Sequence, residues 1–357
     1  MKSTVHLIYP HGERISCPDA IGRNLASRLS RDFEVVLHDW DARTVIHPQP
    51  GDRLIGHPHP APGTIFRRSV REAGWTRTIM LCPYAHGDLR QVAAWDTVLP
   101  YCDAHLAITG NYWMRTLPAS PFAHWAPRTT PLDLAVDRRD FPPVKTSFAP
   151  PGQRRFLYIG NTAWVKNTGY LSALARARPE YAFAWMGQSR HPIAGFRALG
   201  ARDFSQPASR SMLADYDFIL TAGFSDANPT VVLEGMAWGL IPICTPQSGY
   251  EGYPGIPNIP LQDLAGACAV LDRMQQTDAT SLRALQAGNW SLLDAHFTWD
   301  RFADQVRAAL LDQGRAALPP APLTRRLRLR WAAARSPYAP WHPLQLARKL
   351  RHCLRPS

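Results

Sequence analysis

Between Phe224 and Gly249 the chain reads FSDANPTVVLEGMAWGLIPICTPQSG, and two carboxylates, Asp226 and Glu234, stand on either side of an Asn-Pro step. Asn228 suits a helix N-cap, and Pro229 suits the first helical position, where its missing N–H is not needed. The pattern predicts a helix over TVVLEGMAW starting near 229. Thr230 then falls in its first turn, Glu234 lies about a turn further in, and Asp226 stays in the loop ahead. The free N–H groups and dipole of such a start favour an anion such as a phosphate. A carboxylate accepts paired hydrogen bonds from vicinal hydroxyls. A phosphate flanked by hydroxyl-bearing groups describes a nucleotide sugar: ribose, diphosphate, hexose. Spacing alone leaves the plainer alternative that both carboxylates are solvated surface charges.

Other residues invite chemistry less strongly. His57 and His59, in GHPHPAPG, would face one side of an extended segment at a spacing compatible with metal. No third ligand is evident, and a loop end near a cleft is the preferred explanation; no metal site is expected. His11-Gly12 fits either a turn or a cleft wall. Asp88 could orient His86, bind an acceptor, or cap the helix LRQVAAW. No G-x-S-x-G turn supports a Ser-His-Asp hydrolase, and YPHGERI does not supply the G-x-G-x-x-G of a Rossmann dehydrogenase.

The elements that would position these residues alternate between strand and helix. STVHLIYP, FEVVLHDW, RLIG, RTIMLCPY and AHLAIT read as strands, separated by helical stretches such as GRNLASRLS and TIFRRSVREAG. A proline-rich break, DFPPVKTSFAPPGQ, follows at 140–153 and reads as a linker. The pattern then restarts with RRFLYIG, NTGYLSALARA, YAFAWMG, SRSMLADY and DFILTAG, then the helix above, the strand LIPICTP and two further helices to about 312. Such alternation predicts an α/β fold with parallel, doubly wound sheets. The expected layout is an N-terminal Rossmann-like domain over 1–141, a linker over 142–153, a C-terminal Rossmann-like domain over 154–312 and a basic tail over 313–357. Ligands would sit between the carboxyl ends of the two sheets.

Bulk composition agrees with a two-domain globular chain. The 357 residues suffice for two cores, and 45% hydrophobic content excludes a disordered protein. No run is long and apolar enough for a membrane span, and the N-terminus has too short an apolar run for a signal peptide. Six cysteines at 17, 82, 102, 244, 268 and 353 form no CxxC pair, so reduced cytosolic thiols are expected. The net charge of +12 is concentrated: from Gln313 to Ser357 there are ten Lys or Arg and no Asp or Glu. Arginines mixed with Leu, Trp and Tyr over 325–355 fit an anionic membrane surface, a solvated extension, or nucleic acid. The membrane surface is the partner expected, and nucleic acid is not.

The segment Asp226-x7-Glu234 followed by GMAWGLIPICTPQSG resembles the signature of retaining GT-B glycosyltransferases of the GT4 type, whose pattern is E-x7-E, a small-residue helix and a strand ending before a glycine. FLYIGNTAWVKN, FAWMGQS, SMLADYDFILTAGFSD and HFTWDRFADQVRAAL resemble further segments in the family's order, and the likeness spans about residues 1–312. It implies a GT-B fold: an N-terminal acceptor domain and a C-terminal nucleotide-sugar donor domain. Donor contacts would come from Gly22, Gly160, Asn161, Lys166, Asp226, Asn228, Pro229, Thr230 and Glu234. In this scheme Glu234 binds the ribose hydroxyls and Asp226 the transferred sugar, while Lys166 neutralises the departing diphosphate. His86, at a strand end, joins Lys166 and Asp226 as a catalytic residue. The nucleotide sugar is substrate, and neither cofactor nor metal is implied; a glycan or lipid-linked acceptor at the cytoplasmic membrane face is. Three positions depart from the family pattern: Asp226 stands for Glu, Asn161 for an arginine, and Ile21-Gly22 for a glycine pair. Arg154, Arg155 and Arg190 are candidates to replace the missing cation. A nucleotide-sugar epimerase and a non-catalytic nucleotide-sugar or glycan-binding protein are the alternatives.

Overall fold

A computed structural model describes residues 2–10, 17–189, 191–319 and 322–334. His11, Gly12, Arg190, Cys353 and the tail from 335 onward lie outside the described residues. The chain divides into two compact units: residues 1–108, 114–132 and 299–357 form the first, and 109–113 with 133–298 the second.

The first unit is built on a six-stranded parallel sheet of β1 (Thr4–Ile8), β2 (Glu34–His38), β3 (Arg53–Gly56), β4 (Arg77–Pro83), β5 (Ala104–Ile108) and β6 (Thr129–Leu132), in the order β2-β1-β3-β4-β5-β6. Helices α1 (Cys17–Leu29), α2 (Ile65–Ser69) and α3 (Leu89–Asp96) connect its strands, and α4 (Asn111–Thr116) follows β5. The second unit carries α5 (Thr168–Ala177), α6 (Pro207–Ser211), α7 (Thr230–Trp238), α8 (Leu264–Gln276) and α9 (Ala279–Ala295). Its sheet contains β7 (Arg155–Ile159), β8 (Ala182–Met186), β9 (Arg197–Ala198), β10 (Phe218–Leu220) and β11 (Ile241–Ile243), all parallel, in the order β11-β10-β7-β8-β9. The chain ends its described part with α10 (Trp299–Leu311) and α11 (Leu323–Ala334), both in the first unit.

Parallel strands covered on both faces need apolar side chains on both, which explains the near-continuous hydrophobic runs. In β7, Phe156 and Tyr158 join one core, where Phe156 stacks between Phe183 and Phe218 at centroid distances of 5.1 and 5.0 Å. Leu157, on the opposite face, packs with Ile219, Trp238 and Leu240. Adjacent residues of one strand thus bind two helix layers.

Several details differ from the sequence-based expectations. Three helices, not two, fill 264–311, because Asp278 accepts a hydrogen bond from the Ser281 N–H and starts α9 anew. Residues 299–311, placed by sequence in the second domain, group with the first unit. There α10 packs on α1, Arg28 bonds Asp300 at 2.7 Å, and Arg77 donates to the carbonyl of Ala309. The proline-rich stretch is anchored to the second unit: buried Lys145 pairs with buried Asp217 at 2.9 Å, and Asp217 also accepts from the Ala149 and Arg155 N–H groups. Among the described residues, no helix is long and apolar enough to cross a membrane, and the cysteines at 17, 82, 102, 244 and 268 are free thiols.

Candidate functional site

The strand order of the second unit reverses direction between β7 and β10, and the crevice at the carboxyl ends of such a pair is where open α/β sheets hold ligands. Both strands run into loops there. After β7 the chain turns at Gly160, whose φ of 152° few side chains tolerate. The Gly160 carbonyl accepts from the Trp185 indole N–H at 2.8 Å. Gly187 presses against the same place: a Cβ on it would stand 2.1 Å from the Gly160 oxygen. Tyr158 donates its hydroxyl to the Asn161 carbonyl at 2.6 Å, and the Asn161 side chain accepts from the Ala163 N–H at 2.9 Å. These bonds shape the loop into a short 3-10 turn, Trp164–Lys166, that presents the lysine.

Lys166 Nζ meets Asp226 Oδ2 at 2.7 Å, with both side chains partly exposed. The two loops are also tied by backbone, since the Phe224 N–H donates to the Val165 carbonyl at 3.1 Å. The Trp164 ring stands edge-on to Phe224 at 4.4 Å. Gly223 permits the turn that brings Asp226 back, for a Cβ there would lie 2.7 Å from the Asp226 Cβ. Its carbonyl is held by the buried hydroxyl of Thr245 at 2.6 Å. Burial, and then the negative charge of Asp226, raise the Tyr158 phenol well above its ordinary value.

The helix after these loops starts one residue later than predicted. Pro229 is the cap and Thr230 the first helical residue; Asn228 adopts a left-handed φ of 44° and is not the N-cap. Asparagine tolerates that conformation better than most residues. Its N–H is taken by the Ser248 carbonyl at 3.0 Å, and its Oδ1 accepts from the Leu134 N–H at 3.4 Å. The Nδ2 of this buried side chain has no hydrogen-bond partner among the described residues. One turn into α7, Glu234 shares the helix face of Thr230 and is half-buried. Burial moves its carboxyl from its ordinary 4.5 to about 7, with no cation or hydrogen-bond donor among the described residues opposing the shift. A carboxylate left without a partner in a desolvated place is costly to the free protein and open to a ligand's hydroxyls.

The structure therefore gathers Gly160, Asn161, Lys166, Asp226, Asn228, Pro229, Thr230 and Glu234 on loops and one helix start of the second unit. Gly22 and His86 belong to the first. Gly22 sits within α1, where a Cβ would approach Tyr9 Cβ at 2.8 Å, so its observed role is close packing of helix on strand end. His86 lies between Tyr84, whose hydroxyl is 3.1 Å from Nδ1, and Thr116, whose Oγ1 is 3.2 Å from Nε2. Burial lowers its pKa to about 4, so it is neutral near pH 7. Asp88 caps α3 by accepting from the Arg90 N–H. Arg154 does not supply the missing cation: it is buried and donates to the carbonyls of Ala149, Met274 and Gln275. Arg155 lies at the start of β7, the end away from the loop.

The tryptophans that pack on His57 and His59 in the first unit escaped the sequence patterns. His57 is buried against Trp40 at 4.9 Å and Trp95 at 5.7 Å, and Trp40 also meets His59 at 5.0 Å. Burial, with a smaller effect of His59, brings the His57 pKa down to about 3. Among the described residues, no group of three or more His, Cys, Asp or Glu is placed to hold a metal ion.

Two doubly wound parallel units in one chain constitute the GT-B architecture, and comparison with solved structures gives the same class. Sucrose-phosphate synthase from Thermosynechococcus elongatus aligns over 86% of this chain and 98% of its own, with a TM-score of 0.62 and 12% identity. The trehalose-6-phosphate protein of E. coli bound with UDP-2-fluoro glucose aligns over 86% and 99%, with a TM-score of 0.62 and 10% identity. An alpha-glucosyltransferase in complex with UDP and a 13-mer DNA covers 87% and 100%, at a TM-score of 0.55 and 11% identity. At such identities the likeness concerns the fold. No family model and no curated protein sequence matches the chain. Because one of these structures holds DNA, the likeness lends nothing to the expected absence of a nucleic-acid partner.

Proposed function

We propose that the protein is a retaining, metal-independent glycosyltransferase that moves a sugar from a nucleotide-sugar donor to an envelope glycan or lipid-linked acceptor at the cytoplasmic membrane face. The observation that carries this is the desolvated Glu234 carboxyl one turn into α7, without a partner among the described residues, on the same loop-and-helix unit as the Lys166–Asp226 pair. Hydroxyls of a ribose would give Glu234 the hydrogen bonds it lacks. A diphosphate at the start of α7 would draw Lys166 away from Asp226, freeing Asp226 to accept hydroxyls of the transferred sugar. Lys166 and the α7 start then offset the charge that develops on the leaving phosphate, where it matters most to rate. That phosphate takes the acceptor's proton as the new bond forms on the face it leaves, which retains the anomeric configuration.

Slow donor hydrolysis in water, followed by proton NMR of the released sugar, tests the reaction and its stereochemistry together. Initial release of the donor's own anomer supports retention, and initial release of the opposite anomer refutes it. An epimerase would instead accumulate an altered nucleotide sugar without any acceptor. A second reading, a nucleotide-sugar-binding protein without turnover, is favoured by Asn161, which spends its side chain on the Ala163 N–H and leaves Lys166 as the loop's cation. Donor binding with neither hydrolysis nor transfer supports that reading.

A further inference from the structure

Helix α11 presents an unusual surface. Leu323, Leu327 and Trp331 are 67, 55 and 60% exposed, and their four-residue spacing places them in one stripe about 12 Å long. The opposite face, with Leu329 and Ala332, is buried, and α11 packs against α3. The helix is thus apolar on two sides, one buried beside α3 and the other exposed. Arginines border the exposed stripe: Arg326 and Arg330 on one flank, Arg328 on the other. Neither Asp nor Glu occurs anywhere from Gln313 onward.

On the Arg328 flank a cavity of about 330 Å³ opens, lined by Ala119, Ser120, Pro121, Thr324, Arg325 and Arg328. Arg325 and Arg328 are one turn apart and neither guanidinium makes a hydrogen bond or ion pair to the described residues, while Ser120 and Thr324 add hydroxyls beside them. Two unneutralised guanidinium groups with hydroxyl neighbours suit a tetrahedral oxyanion.

We propose that α11 is an interfacial helix that docks the first unit on an anionic lipid surface. Leu323, Leu327 and Trp331 enter the headgroup–acyl boundary, and Arg325 with Arg328 takes a lipid phosphate in the cavity beside them. The proposal rests on the membrane-facing part of the function argued above but assigns it to this helix rather than to basic charge in general. An apolar stripe with arginine on both flanks is the pattern of helices that lie in a membrane interface, and the charge matches the negative cytoplasmic leaflet.

The test is flotation of the full chain with vesicles of 30% phosphatidylglycerol in phosphatidylcholine, and with phosphatidylcholine alone, at about 0.15 M salt. Three variants join it: Leu323→Ser/Leu327→Ser/Trp331→Ser, Arg325→Gln/Arg328→Gln, and a chain cut after residue 334. The parent floats with the anionic vesicles. The stripe variant loses at least about tenfold in partitioning. Loss of the two arginines costs about fivefold for each and removes the preference for anionic lipid, and truncation leaves most binding intact. Unchanged thermal midpoints show that the variants remain folded.

Flotation of the stripe variant equal to that of the parent, or lost only on truncation, overturns the role of α11 while leaving membrane association standing. No flotation of the parent overturns both. A thermal shift with inorganic phosphate that needs Arg325 and Arg328, in a parent that does not float, makes the cavity a soluble-anion site and also overturns the proposal. Donor hydrolysis, read separately, is unaffected by any of these outcomes.

Discussion

Glu234→Gln should make the free protein more stable and worse at binding its donor, and the size of the first effect follows from burial. A carboxyl carried from 4.5 to about 7 on folding is protonated in the native state and ionised in the unfolded one across that window. The native state then binds more protons, so stability falls as pH rises from 4.5 to 7 and stays lower above it. The shift corresponds to about 3 kcal/mol at 1.36 kcal/mol per pH unit. Water reaches the half-buried group, which brings the expected cost at pH 8 to roughly 1–3 kcal/mol. Glutamine keeps the shape without the charge and recovers that amount, or roughly 2–4 °C of midpoint per kcal/mol for a unit of this size. Thermal unfolding of both chains at pH 4.5 and pH 8 gives the answer directly. The gain should appear at pH 8 and vanish at pH 4.5. A variant no more stable than the parent at pH 8 would mean that the carboxylate already has a partner in the protein, and the argument for a ligand there would fail. Donor titration supplies the other half: one lost charged hydrogen bond should weaken nucleotide-sugar affinity roughly 10- to 100-fold.

Three further outcomes follow from the same geometry. Lys166→Met should cost about 1 kcal/mol of stability or less, because its ion pair is partly exposed, yet weaken nucleoside diphosphate binding at least about tenfold by calorimetry; equal affinity would take the lysine out of the site. Gly187→Ala should lose at least about 2 kcal/mol, since its Cβ meets the Gly160 oxygen at 2.1 Å and the Trp185 indole nitrogen at 2.3 Å, whereas Gly169→Ala, with open space around it, should not destabilise; chemical denaturation of the pair compares them. His86 titrates near 4 in the folded state against an ordinary 6.5, so the unfolded chain binds the extra proton between those values and stability is lost as pH falls through them. His86→Asn should flatten the midpoint-versus-pH curve between pH 6.5 and 4, and an unaltered slope would contradict its burial.

The parallel sheets were legible because strands covered on both faces must be apolar throughout, as RTIMLCPY and FLYI are. Helix breaks were less so. Asp263 and Asp278 each cap a helix, but an Asp in a polar run looks the same whether or not it caps. Which sheet a helix joins is not written locally, and α10 packs with the first unit through partners such as Arg28 and Arg77, more than 200 residues away. The loop chemistry of Lys166, Asp226 and Glu234 was visible as residue types in order. Its geometry was not, because it depends on Gly160, Gly187 and Gly223, whose close contacts join distant segments. Asn228 was misjudged because asparagine serves equally as an N-cap and as a left-handed residue; only the Ser248 and Leu134 contacts select the second. The spacing of His57 and His59 was visible after β3, but their packing on Trp40 and Trp95 was not, since those rings come from the turn after β2 and from α3.

On the proposed function, the second unit grips a nucleotide sugar through Glu234 and the Lys166–Asp226 loops. The most direct test is thermal unfolding of the parent and Glu234→Ala against a panel of nucleoside diphosphates and nucleotide sugars. Ligand at about 100 times its Kd adds about 2.7 kcal/mol to the native state. A clear upward shift is expected with one nucleotide and its sugar, and little or none in the variant. No shift of the parent with any member of the panel would contradict it.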